Sequence, residues 1–129
     1  VQTCALPISN WQQNYISAYA ASHPWEDWAE TWAHYLQMVD GIETCEALGI
    51  QAEPAATPPA HMPLPAGIEP RTDEEDTGFH ALLQRWISLA TMLNAISRSF
   101  GAPFLYPYVI SPAVARKLRL VHHFASVWR

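Results

Sequence analysis

The chain has 129 residues, half of them apolar and six of them tryptophan, with a formal net charge of −5 at pH 7. That is one ordinary domain or less, too apolar to be disordered throughout and too acidic for non-specific nucleic-acid binding, which works by neutralising phosphates. No apolar run approaches the roughly 20 residues of a membrane span, and Cys4 and Cys45, with no metal-type spacing, give no disulfide framework and point to a reducing compartment.

The chain opens VQTCALPIS, without an initiator Met. The stretch lacks the basic start and sustained apolar core of a signal peptide. It resembles the in-frame translation of a common sequencing-adapter oligonucleotide, which implies that residues 1–9 are non-native, the alternative being a genuine N-terminal tail. Native sequence is then expected to begin near Asn10, with the upstream part of the gene missing.

Over residues 10–21, Trp11, Tyr15, Ile16, Tyr19 and Ala20 recur at helical spacing and predict a short amphipathic helix. Ser22 and His23 interrupt it. Pro24 suits a first helical turn, and Glu26 and Asp27 favour the positive end of the helix dipole. A second helix is expected over 24–48, with a break or kink possible at Gly41 and Gly49 as the C-terminal cap. Residues 53–70, EPAATPPAHMPLPAGIEP, hold six of the eleven prolines, a density no helix or central strand survives. They predict a surface loop joining two helical halves, neither of which closes a core alone. After the acidic start at 73–76, a third helix carries Phe79, Leu82, Leu83, Trp86, Leu89, Ala90, Leu93, Ile96 and Phe100 on one stripe, ending at Gly101 with Pro103 beyond. PFLYPYVI reads as an extended packed segment. Ser111 and Pro112 then open a last helix with Val114, Leu118, Val121 and Phe124 on its apolar face. The chain reads as all-α, with about four helices and a proline-rich loop.

The segment HPWEDWAETWAHYL, residues 23–36, raises a chemical question. Residues four apart are neighbours on a helix, so Glu26, Glu30 and His34 form a ladder beside an apolar stripe of Trp25, Trp28, Trp32, Tyr35 and Val39. Most such charge rows are solvated faces. The alternative is a metal site. Catalytic zinc takes three protein ligands, one set being two histidines and a glutamate, and the ligand histidines need carboxylates behind them. One helix presenting Glu26 to the metal and Glu30 to a ligand histidine would do both. E-x-x-x-E alone leaves the two readings open.

The strings SAYAASHPWEDWAETWAHYLQMVD and LNAISRSFGAPFLYPYVISPAVARKLRLVH closely resemble the C-terminal part of a bacterial family of zinc-binding metallopeptidases. The similarity runs from about Trp11 to His122 and is weakest over the proline-rich insert. It implies that residues 10–129 are the C-terminal helical lobe of a zincin-like domain. The family carries H-E-x-x-H on an upstream helix, and in related glutamate-type zincins a downstream helix gives the third ligand through E-x-x-x-D/E. The resemblance thus implies Glu26 as third zinc ligand and Glu30 as the carboxylate behind a ligand histidine. It also implies a peptide or protein substrate and, for the parent, a place in the bacterial cytoplasm. No H-E-x-x-H occurs here: the six histidines are His23, His34, His61, His80, His122 and His123. The zinc-binding histidines and the general base are therefore expected upstream, and the chain by itself is expected to be inactive.

Tyr106 and Tyr108 are candidate oxyanion donors, though a packed aromatic pair explains them as well. His122 and His123 read as packing residues, His23 as a helix cap and Cys45 as a small apolar core residue. The rival from another class is a non-catalytic helical interaction module, with the tryptophan stripe as partner surface and the acids as its solvated rim. It expects Glu26 and Glu30 in bulk solvent.

Overall fold

The computed structural model describes residues 10–52 and 74–128, with side chains from Gly78 onward in the second part. Three α-helices carry the architecture: α1 over Pro24–Ala47, α2 over Glu74–Ser99 and α3 over Pro112–Val127. No strand occurs among the described residues, so the fold is all-α as the sequence predicts. Residues 1–9 and the proline-rich stretch 53–70 lie outside the described residues.

The predicted first helix is a correction. Residues 10–23 form two 3-10 turns, Trp11–Gln13 and Ala20–Ser22, joined by irregular chain. A segment this short is marginal as a helix, and local side chains offer its backbone other partners. The Ser17 hydroxyl accepts from Ala20 N at 3.0 Å, and the Ser22 hydroxyl donates to Tyr19 O at 2.6 Å. Lys117 of α3 donates to Asn14 O at 2.5 Å while lying over the Tyr15 ring. Ile16 and Ala20 still reach the core.

The ends of the helices follow their sequence signals. His23 Nδ1 caps α1 by accepting from Trp25 N at 3.1 Å, and Ser111 caps α3 through Val114 N. Gly49 and Gly101 take φ +72° and +73° just past α1 and α2. In each case the next residue's N–H reaches back five residues, Ile50 to Cys45 O at 2.8 Å and Ala102 to Ser97 O at 3.1 Å. This pattern satisfies the last free carbonyls and needs the left-handed conformation that glycine adopts without strain.

The core is formed where the three helices meet, around Phe79, Met38, Leu83, Leu118, Val114 and Val121. The buried line of α1 runs through Thr31, His34, Tyr35, Met38, Ile42 and Cys45. It is rotated from the predicted tryptophan stripe: Trp25 is 73% exposed and Trp28 half-exposed. Ile96 on α2 and Phe100 just past it are exposed, and the buried positions of the last turns go to Asn94 and Ser97. Helix α1 runs unbroken through Gly41 because that glycine faces the Trp86 indole of α2. A Cβ added there would stand 2.7 Å from Trp86 Cζ3.

After α2 the chain is pinned by polar groups. The Asn94 side chain donates to Tyr106 O and accepts from Tyr106 N, both at 2.8 Å. Tyr106 is itself buried, and its hydroxyl lies 2.5 Å from His34 Nε2. Burial lowers the His34 pKa to about 4 and raises that of the Tyr106 phenol, so both groups are neutral at pH 7. In the tautomer protonated at Nδ1, His34 Nε2 accepts a hydrogen bond from the Tyr106 hydroxyl.

Two expectations follow from this packing. Gly41→Ala should destabilise the fold by about 1–3 kcal/mol through overpacking against Trp86, despite alanine's better helix propensity. Gly78→Ala on α2, where the nearest atom would be 3.8 Å away, should be neutral or stabilising by up to about 1 kcal/mol. Chemical denaturation of both variants separates the two outcomes. The second concerns pH. The unfolded chain titrates His34 near its ordinary 6.5 and the folded chain holds it near 4, so between these values the unfolded state binds more protons. Stability should therefore fall as pH drops from 6.5 towards 4, by on the order of 3 kcal/mol from this residue. Unfolding curves of wild type and His34→Asn at pH 7 and 4.5 should show a pH dependence that is steeper with the histidine present.

Candidate metal centre

Pro24 starts α1, so Glu26 lies in its first turn and Glu30 one turn further on, and both are half-buried. The 3-10 turn over Ala20–Ser22 packs against this end of α1. It brings Ser17 to Glu30: the serine hydroxyl donates to Glu30 Oε2 at 2.9 Å. Tyr19, whose ring is 59% exposed, sets its hydroxyl against Glu26. The hydrogen bond to that carboxylate, followed by its charge, raises the Tyr19 phenol above its ordinary pKa. Each acid of the ladder thus faces a hydroxyl from the irregular segment, and among the described residues neither makes an ion pair.

Asp27, one residue along, has a different environment. Its Oδ2 takes Lys117 Nζ of α3 at 2.7 Å, and its backbone carbonyl accepts from the Thr31 hydroxyl at 2.6 Å. Successive residues point about 100° apart around a helix. Asp27 therefore faces α3 and stitches the fold, while Glu26 and Glu30 face the segment 15–22.

His34, the third rung, is buried and meets the aromatic segment after α2. Besides its bond to Tyr106, its ring lies edge-on to Tyr108 at 5.2 Å between centroids, and the two tyrosine rings are 5.4 Å apart. The structure thus brings both candidate oxyanion donors onto His34. Tyr106 has its hydroxyl committed there, and Tyr108 is 37% exposed. His122 Nδ1 lies 2.9 Å from the Tyr35 hydroxyl, with its ring against Phe79. His123 packs beside Phe124. Cys45 is buried, as the sequence suggests. Among the described residues no three His, Cys, Asp or Glu side chains converge.

Sequence reasoning missed Ser17, Tyr19, Lys117 and Asn94. For Asn94 a signal existed: a carboxamide inside an apolar stripe, four residues after Ala90, marks a buried polar partner. For Ser17 and Tyr19 none did, because their helical periodicity pointed to the wrong local structure.

Uncharacterized proteins of Mycobacterium tuberculosis and Mycobacterium bovis are each 37% identical to the chain over 116 residues, which make up 90% of the chain and 30% of the relative. The chain therefore spans about a third of the length of these curated relatives. No solved structure matches at a significant level. Among the described residues no helix is long and apolar enough to cross a membrane. A family model described as "Putative zinc-binding metallo-peptidase" matches residues 4–124, and the chain belongs to that family.

Proposed function

We propose that this chain is the C-terminal helical part of a zinc-dependent peptidase, in which Glu26 is the third metal ligand and Glu30 stands behind a ligand histidine. The observation that carries the reading is the pair of half-buried carboxylates one turn apart, each set against a hydroxyl and, among the described residues, without a cation. Two carboxylates side by side attract a cation with the charge of both. Carboxylate oxygen is also a donor zinc accepts beside imidazole nitrogen, so the residues fit the metal.

In this reading α1 is the rigid element that fixes both carboxylates. Glu26 offers an oxygen to the metal. Glu30, with Oε2 held by Ser17, turns its other oxygen to the ring N–H of a ligand histidine and so sets its tautomer. When bound, zinc supplies an activated water and a polarised peptide carbonyl. The two histidines and the general-base glutamate come from an H-E-x-x-H that this chain does not contain. The chain alone is therefore inactive, and the whole protein hydrolyses peptide bonds in the bacterial cytoplasm. Tyr108, with its exposed ring, is the better placed of the two tyrosines to donate to an oxyanion. The rival module reading draws on the exposed Trp25 and Trp28, but it expects the two acids in open solvent, and their half-burial favours the metal.

Calorimetry should find only weak zinc binding by this chain, since one direct ligand cannot fill a site that takes three. Sub-micromolar stoichiometric binding would mean that the other ligands are not elsewhere. In the full-length protein, Glu26→Gln should remove most of the bound zinc and of the hydrolysis of an unstructured peptide pool. Glu30→Gln should cost about 10–100-fold in zinc affinity or activity. Asp27→Asn should leave the metal in place and instead lower stability by about 1–2 kcal/mol, through loss of the Lys117 contact. If Asp27→Asn strips zinc while Glu26→Gln retains it, the assignment is wrong.

A further inference from the structure

We infer that Ser17 is a positioning residue for Glu30, fixing the rotation of its carboxylate and reserving one oxygen for the metal site. This rests on the zinc reading of Glu26 and Glu30 given above.

The last torsion of a glutamate side chain is broad and roughly two-fold, so a rigid helix does not by itself fix where the two oxygens point. Ser17 supplies that constraint. Its Oγ accepts from Ala20 N at 3.0 Å and donates to Glu30 Oε2 at 2.9 Å. A hydroxyl has one proton, and with the backbone N–H on the acceptor side that proton is directed at the carboxylate. The serine is also held from both sides. Ile16, the residue before it, and Ala20, three residues on, are both buried, and Lys117 grips the chain at Asn14 O. The donor is therefore preorganised and does not have to be recruited from solvent. One oxygen of Glu30 is satisfied within this chain and the other is left for a partner. A carboxylate that orients a metal-bound imidazole needs that arrangement, because outer-sphere hydrogen bonds tune ligand basicity and are themselves supported by further bonds. The segment does this because it is irregular, since Ser17 reaches Glu30 from a loop folded across α1.

The test is zinc affinity in the full-length protein, measured by chelator competition, alongside thermal unfolding of the zinc-stripped form. Ser17→Ala should weaken zinc by about 10-fold, the low end of the range for such outer contacts. Ser17→Thr and Ser17→Val have nearly the same shape and differ in the hydroxyl. Thr should restore affinity and Val should not, even if both shift the unfolding temperature of the stripped protein alike. A purely structural serine would move the unfolding temperature and leave the Thr and Val affinities equal, and that result overturns the inference. Glu26→Gln and Glu30→Gln serve as references. If both weaken zinc and the Thr–Val pair does not differ, only the role of Ser17 fails. If neither changes zinc binding, the zinc reading itself fails and Ser17 has no site to position.

Discussion

The contact between buried His34 and Tyr106 sets the rotation of α1, and the direction of Glu26 and Glu30 depends on it. His34 stands four and eight residues after the two acids, on the same ladder. When Tyr106 holds the third rung in the core, the first two rungs are turned towards the segment 15–22. Gly41 contributes to the same result from further along the helix. Its missing side chain lets the Trp86 indole approach the backbone, so the helix can pack in one rotational setting without a clash. These two contacts lie about 10 Å apart along the axis at 1.5 Å per residue, far enough to resist twisting about either one.

Tyr106 can grip His34 because its own backbone is fixed. Asn94 saturates both its N–H and its C=O, replacing the ladder bonds that this extended stretch would otherwise lack. A buried carboxamide is tolerated when all its strong bonding capacity is used. The cost of the arrangement is acid sensitivity, since a buried imidazole that gains a proton finds no counter-charge in Tyr106, whose phenol burial keeps neutral.

Much of the fold was legible because its signals are local. Pro24, Ser111, Pro112, Gly49 and Gly101 mark helix ends by backbone chemistry that needs no knowledge of neighbours. The pairing of Glu26 with Glu30 was equally legible, being a matter of 3.6-residue periodicity. Two features were not. Residues 10–21 have helical spacing but fold as turns, because Ser17, Ser22 and Lys117 satisfy the backbone in another way, and Lys117 is a hundred residues away in sequence. The tryptophans of α1 drew the predicted core face to themselves because size and apolarity dominate a periodicity argument. The observed face contains Thr31 and His34 instead, both with hydrogen-bond partners, which apolar periodicity counts as interruptions.

The contrast between Asp27 and its two glutamate neighbours shows how the helix separates structure from chemistry. All three acids lie within five residues and share the positive end of one dipole. Yet the one that faces α3 is matched by Lys117 at 2.7 Å, while the two that face the other way meet only hydroxyls. Lys117 could not serve both sides. Its ammonium is committed to Asp27, to Asn14 O and to the Tyr15 ring, and these contacts tie the segment carrying Ser17 to α3. The ammonium nearest the three acids thus ties the segment that carries Ser17 and Tyr19 to α3, and Glu26 and Glu30 are left side by side on the face turned to that segment.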